Sequence, residues 1–99
     1  MHIAAAQVSL QIHWSSSLKD KRRVIHSVVS KLRNRHSISV AEVSPNESWN
    51  ATTIGIAVVS AERRTAGQIL ERSLAMIEHA APEAEVIGIE TEIWSFHAE

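Results

Sequence analysis

The stretch SLKDKRRVIHSVVSKLRNRH, Ser17 to His36, decides how the rest of the 99-residue chain is read. Turned by about 100° per residue, Leu18, Ile25, Val28, Val29, Leu32 and His36 fall in one arc, the stripe of a helix packed on a core. Lys19, Arg22, Arg23, His26 and Arg33 fall mostly on the opposite side. Ser17 is placed to cap the helix. Asp20, three residues on, completes a capping box and puts negative charge at the positive end of the helix dipole. Valine is an indifferent helix former, so packing against the rest of the chain must hold the segment helical. Seven of the ten Lys and Arg residues lie here, with Asp20 the sole acid, a formal charge of +6. Residues 37–99 hold three Arg against ten carboxylates, a formal −7. A net charge of −1 therefore hides a strongly polarised chain.

On either side of this helix the period changes to two. Val8, Leu10, Ile12 and Trp14 alternate with Gln7, Ser9, Gln11 and His13, which predicts a half-buried strand over 2–14 with Trp14 packed against the domain. Ser37–Val43 alternates and is β-branched, a second strand. Pro45, Asn46 and Asn50 mark the following segment as a loop, and Trp49 sits in it. Thr52–Ser60 is the strongest strand, with Ile54, Ile56 and Val58 on one face and Thr53, Gly55 and Ala57 on the other. Glu62–Ala81 predicts a second amphipathic helix, with Ala66, Ile69, Leu70, Leu74, Ile77 and Ala80 inward and Pro82 as its stop. Glu85–Phe96 predicts a final strand in which Ile87, Ile89 and Ile93 alternate with Gly88, Glu90, Glu92 and Trp94. The order β-α-β-β-α-β predicts an α+β, ferredoxin-like sandwich: a four-stranded antiparallel sheet, order 4-1-3-2, with two helices on one face. Length predicts one domain over 1–99 with a loose tail at 97–99.

Composition narrows the function classes. There is no cysteine, hence no disulfide, thiolate metal site or thiol nucleophile. The N-terminus has no basic region ahead of an apolar run, and no apolar stretch is long enough to span a membrane. A cytoplasmic protein without membrane contact is expected. The histidines (His2, His13, His26, His36, His79 and His97) contain no i, i+4 pair, and no metal or other cofactor is expected. The one Asp is assigned to the helix cap, which leaves no acid for a triad. Glu90 and Glu92 share one face of a strand, an arrangement met far more often on a solvated face than in a catalytic pair. No catalytic residue is expected. The loop Trp14-Ser15-Ser16-Ser17, leading into the helix N-terminus, is the best-placed segment for a small anion.

Three blocks carry a resemblance to a known family: SLKDKRRV at 17–24, KLRNRHSISVAEV at 31–43 and WNATTIGIAVVS at 49–60. In this order and spacing they resemble the signature blocks of the small bacterial YlxP-like proteins, and the likeness extends to about Trp94. Position 36, usually aromatic in that family, is His36 here, and the tail after Trp94 has no counterpart. The resemblance implies a ferredoxin-like fold and transfers no catalytic residue. The family's genes often lie among those for translation initiation and ribosome maturation, which implies a setting in translation.

Together these readings predict a non-enzymatic binding module. Its anion- or RNA-binding residues are expected to be Lys19, Arg22, Arg23, His26, Lys31, Arg33 and Arg35, a Lys/Arg stripe suited to a phosphate backbone. The expected partner is ribosomal or precursor RNA, with no DNA. Trp49 is expected to touch a partner. The sheet's open face, Gln7, Ser9, Gln11, His13, Thr53, Gly55, Ala57 and Val59 on the central strands, lacks the aromatics of an RNA-recognition motif. It fits instead the alternative reading, a homo-oligomeric interaction domain that binds no nucleic acid.

Overall fold

Residues 1–35, 37–44 and 48–97 are described by the computed structural model of the chain. Its elements are β1 (His2–Ile12), α1 (Leu18–Arg35), β2 (Ser39–Glu42), β3 (Ala51–Ser60), α2 (Arg63–Ala80) and β4 (Ala84–Ser95). The strands form one antiparallel sheet in the order β2-β3-β1-β4, the 4-1-3-2 arrangement that the sequence predicts. Both helices cover the same face, α1 over β2 and α2 over β1, β3 and β4. The fold is ferredoxin-like.

Strand parity builds the core. Ala4, Ala6, Val8, Leu10 and Ile12 of β1 and Ile54, Ile56 and Val58 of β3 are buried under the helices. Val24, Val28 and Leu32 of α1 and Ala66, Leu70 and Ile77 of α2 close over them. Ile69 and Leu74 pack against this cluster half-buried. Ser73 takes an inward position of α2 and satisfies its hydroxyl by donating to the Ile69 carbonyl, 2.9 Å away. Ala81, the residue before Pro82, is extended (φ −152°, ψ 132°), as the proline ring demands, and α2 ends there.

The start of α1 differs from a simple capping box. The Ser17 hydroxyl does accept from the Asp20 N–H at 3.2 Å. The Asp20 carboxylate, however, reaches back to Ser16, whose backbone N–H and hydroxyl donate to Oδ2 at 3.3 and 2.9 Å. These bonds from Ser16, with help from Ser17 and from the Arg23 charge, hold the Asp20 carboxyl below its usual pKa. A depressed carboxyl stabilises the fold above its unfolded pKa and loses that contribution as pH falls through the folded value. Asp20→Asn is therefore expected to lower the urea midpoint at neutral pH, with the gap to wild type closing as pH drops below the ordinary carboxylate range.

Trp14 corrects the sequence reading. It does not continue the apolar face of β1, which ends at Ile12, where Asn50 O accepts from the Ile12 N–H at 2.8 Å. The next amide, His13 N–H, turns to Glu83 O at 2.7 Å. Trp14 then adopts φ 60°, left-handed backbone that a bulky side chain seldom takes, and is 83% exposed. His36, which the sequence assigns to the apolar stripe, lies outside the described residues, as do Pro45, Asn46 and Glu47.

Candidate anion-docking surface

The basic segment divides into three groups once it is wound into a helix. Lys19, Arg22, Arg23, His26 and Arg33 are exposed and fall within an arc of about 100° opposite the core. Lys31 and Arg35 lie toward α2, around a groove shared with Met76 and His79. Lys21, in the middle of the most basic run, is only 3% exposed and takes its place with Val24, Ile25 and Val28 on the buried side. Its Nζ donates to Ser48 O at 2.7 Å, while the aliphatic stem lies in the core.

Two of the expected phosphate contacts have partners within the chain. Lys31 Nζ donates to Ala80 O, the last carbonyl of α2, where a cation is favoured by the helix dipole. Arg33 Nη2 donates to Val40 O at 2.6 Å through a half-buried bond and ties α1 to β2, while the residue as a whole stays exposed. These bonds make Lys31 and Arg33 partly structural. Lys31→Ala or Arg33→Ala is expected to cost about 1 kcal/mol of stability each, measured by chemical denaturation.

The remaining cations have no such tie. Among the described residues, Lys19, Arg22, Arg23 and Arg35 make no ion pair with a carboxylate; the pair that is present joins His13 Nε2 to Glu85 Oε1 at 2.7 Å, away from the helix. Five of the described acids lie on α2 (Glu71 and Glu78) and β4 (Glu85, Glu90 and Glu92), while Glu42 lies on β2 and Asp20 in the first turn of α1. The outward arc of α1 is a local concentration of positive charge, able to attract an anionic partner.

Tryptophan extends this surface. Trp49 is 56% exposed in the loop before β3. Its loop adjoins the turn that carries Trp14, through the Ile12–Asn50 hydrogen bond and the Lys21–Ser48 hydrogen bond. Both indoles thus belong to the end of the molecule where α1 begins. The alternation of β1 predicts Trp14 packed against the domain; the three serines that follow it at once are the signal that it sits in a turn.

The loop proposed for a small anion already holds one. Ser16 N–H and Oγ both donate to Asp20, so the chain's own carboxylate occupies the donors there. Strand register places Gln7, Ser9, Thr53, Gly55 and Ala57 on the open face, as expected. A Cβ at Gly55 would lie 2.7 Å from Val43 Cγ1, so the missing side chain lets Val43 fold across this face. Trp94 stands on the same face beside Ile3, with Glu90 and Glu92 along the β4 rim. No group of three His, Asp or Glu side chains suited to a metal ion occurs among the described residues. Among the described residues, no helix is long and apolar enough to cross a membrane.

The family described as "Protein of unknown function (DUF503)" matches residues 3–91. The chain belongs to that family. It is 34% identical over 83 residues to the "Uncharacterized protein YlxP" of Bacillus subtilis (strain 168), a match that spans 84% of this chain and 89% of that one. This agrees with the YlxP-like resemblance of the three sequence blocks. Among solved structures, a de novo designed protein with a ferredoxin fold superposes with TM-score 0.55 at 12% identity, covering 100% of this chain and 96% of its own. SnoaB, a cofactor-independent oxygenase from Streptomyces nogalater, superposes with TM-score 0.53 at 8% identity, covering 99% and 95%. At such identities both show the fold and nothing of the chemistry. DUF503 itself carries no catalytic assignment.

Proposed function

We propose that the chain is a non-enzymatic docking module whose α1 face engages the phosphate backbone of ribosomal or precursor RNA, in a setting of translation or ribosome maturation. The observation that carries this reading is the outward arc of Lys19, Arg22, Arg23 and Arg33, joined by His26, with which no carboxylate among the described residues forms an ion pair; Asp20, at the edge of the arc, is engaged by Ser16. A surface meant only to be solvated mixes both signs of charge. This one concentrates a single sign on one rigid element, at a helical spacing that follows a backbone of phosphates. Arg35, on the α2 side of the helix end, adds a contact for a strand that wraps past α1. Trp49 and Trp14, exposed where α1 begins, offer π-faces on which unpaired bases can stack, a contact that tolerates any sequence.

Co-sedimentation with purified ribosomal subunits and with the protein-free RNA of each subunit tests the proposal. Binding at low ionic strength to one subunit or its RNA, released by added salt, is the expected result. Absence from every pellet at low salt would end the RNA reading.

A further inference from the structure

Among the described residues, five exposed large apolar side chains lie on β4 or just after it. Ile87, Ile89 and Ile93 are 56%, 46% and 36% exposed, and Trp94 and Phe96 follow them into solvent. The cause is geometric. β4 is a twelve-residue strand at the margin of the sheet, its outer edge unpaired in the order β2-β3-β1-β4. Register puts Ile89 beside Val8 and Ile93 beside Ala4, on the helix side, but α2 does not reach far enough to cover them. α2 meets β4 beside Ile93, where a Cβ added at Gly67 would lie 3.9 Å from Ile93 Cδ1 and Arg63 Nη1 donates to Ser95 Oγ at 3.1 Å, yet Ile93 stays 36% exposed. The opposite edge, β2, is four residues long and has α1 over it. Long, flat, apolar edges are normally shortened, covered or guarded by lysine or proline. β4 has no lysine and no proline; its register against β1 shifts between Ser9 and Leu10, which makes Ile87 the extra residue and leaves the stretch from Gly88 onward as the regular edge.

From this edge we infer that two copies of the chain pair through β4, antiparallel about a two-fold axis, into one eight-stranded sheet. A regular antiparallel edge is complementary to itself, so a second copy meets the free N–H and C=O groups of the stretch from Gly88 onward. The exposed side chains present roughly 500 Å² of apolar surface per copy, of which either register covers a part, so that with the backbone edge the contact is of the smaller, reversible class of interface. Charge restricts the register. A two-fold at Glu90 or Glu92 sets that glutamate against itself, and one at Thr91 sets Glu90 against Glu92. Like charges directly opposite are destabilising. A two-fold at Ile89 places Glu90 opposite Gly88 of the second copy, and one at Ile93 places Glu92 opposite Trp94; neither brings carboxylate against carboxylate. Both keep the isoleucines in one apolar stripe between the two α2 helices. Both also put the two α1 faces on the same side of the extended sheet. Dimerisation does not depend on what α1 binds.

Sedimentation velocity over a wide concentration range tests the pairing, with Ile87→Lys/Ile89→Lys as the edge variant and circular dichroism as the check on folding. Both positions are about half exposed, so the variant keeps its core. The expected result is a wild-type dimer that tightens with added salt, as the glutamates are screened, and at least a tenfold weaker dimer for the variant. Because the chain has no cysteine, single substitutions then report the register. Ile89→Cys or Ile93→Cys should form a disulfide-linked dimer under mild oxidation, while Thr91→Cys and Val59→Cys stay monomeric on denaturing gels. A wild type that is monomeric throughout would overturn the inference. So would a dimer indifferent to the edge variant, or cross-linking that favours Val59→Cys on the open face.

Discussion

Lys21→Glu is expected to destabilise the fold by about 3 kcal/mol or more, a large part of the 5–15 kcal/mol margin of a typical domain. The lysine is buried between α1 and the loop before β3, with Nζ directed at Ser48 O. Glutamate there would turn a carboxylate toward a carbonyl, acceptor against acceptor, in a site with little water. Lys21→Met, which keeps the stem and removes the ammonium, should cost less than Lys21→Glu, about 1–3 kcal/mol for the lost charge-assisted hydrogen bonding. Arg22→Glu, one residue on and exposed, should change stability by less than about 0.5 kcal/mol. Urea denaturation of the three variants separates them. Similar costs for Lys21→Glu and Arg22→Glu would contradict the division of α1 into buried and outward cations.

The second large effect concerns binding. Changing Lys19, Arg22 and Arg23 together to glutamate is expected to leave folding intact and to remove affinity for RNA at moderate salt. Each phosphate contact releases condensed counterions, so losing three should make the log–log salt dependence shallower by about 2 on a single strand. Lys31→Ala should act in the opposite sense, with a loss of stability and little change in that slope, since its ammonium serves the end of α2.

The architecture was open to reading because local and global signals agree. The period-two runs become β1 and β3, the amphipathic segments become α1 and α2, and the topology follows from their order. Element ends moved by one or two residues, where hydrogen bonds outside the element took over, as Glu83 O does at His13. The basic face was legible only in part. Counting charges grouped Lys21 with its neighbours, yet its position three, four and seven residues before Val24, Ile25 and Val28 already placed it on the apolar stripe. The intramolecular ties of Lys31 and Arg33 depend on α2 and β2 arriving alongside, which no local pattern records. Trp14 was misread because alternation was carried past Ile12 into a turn that reverses the chain. The exposure of β4 was likewise hidden: its isoleucines alternate as a buried strand's would, and only the reach of α2 leaves them bare.

The central claim, that the outward face of α1 follows a phosphate backbone, is tested most directly by fluorescence anisotropy with a labelled single-stranded fragment of ribosomal RNA, titrated between about 50 and 200 mM salt. With contacts from Lys19, Arg22, Arg23 and Arg33, the logarithm of the binding constant should fall against that of salt with a slope of about −3, and of about −1 for the triple glutamate variant. No saturable binding at the lowest salt, or the same slope for both proteins, would contradict it.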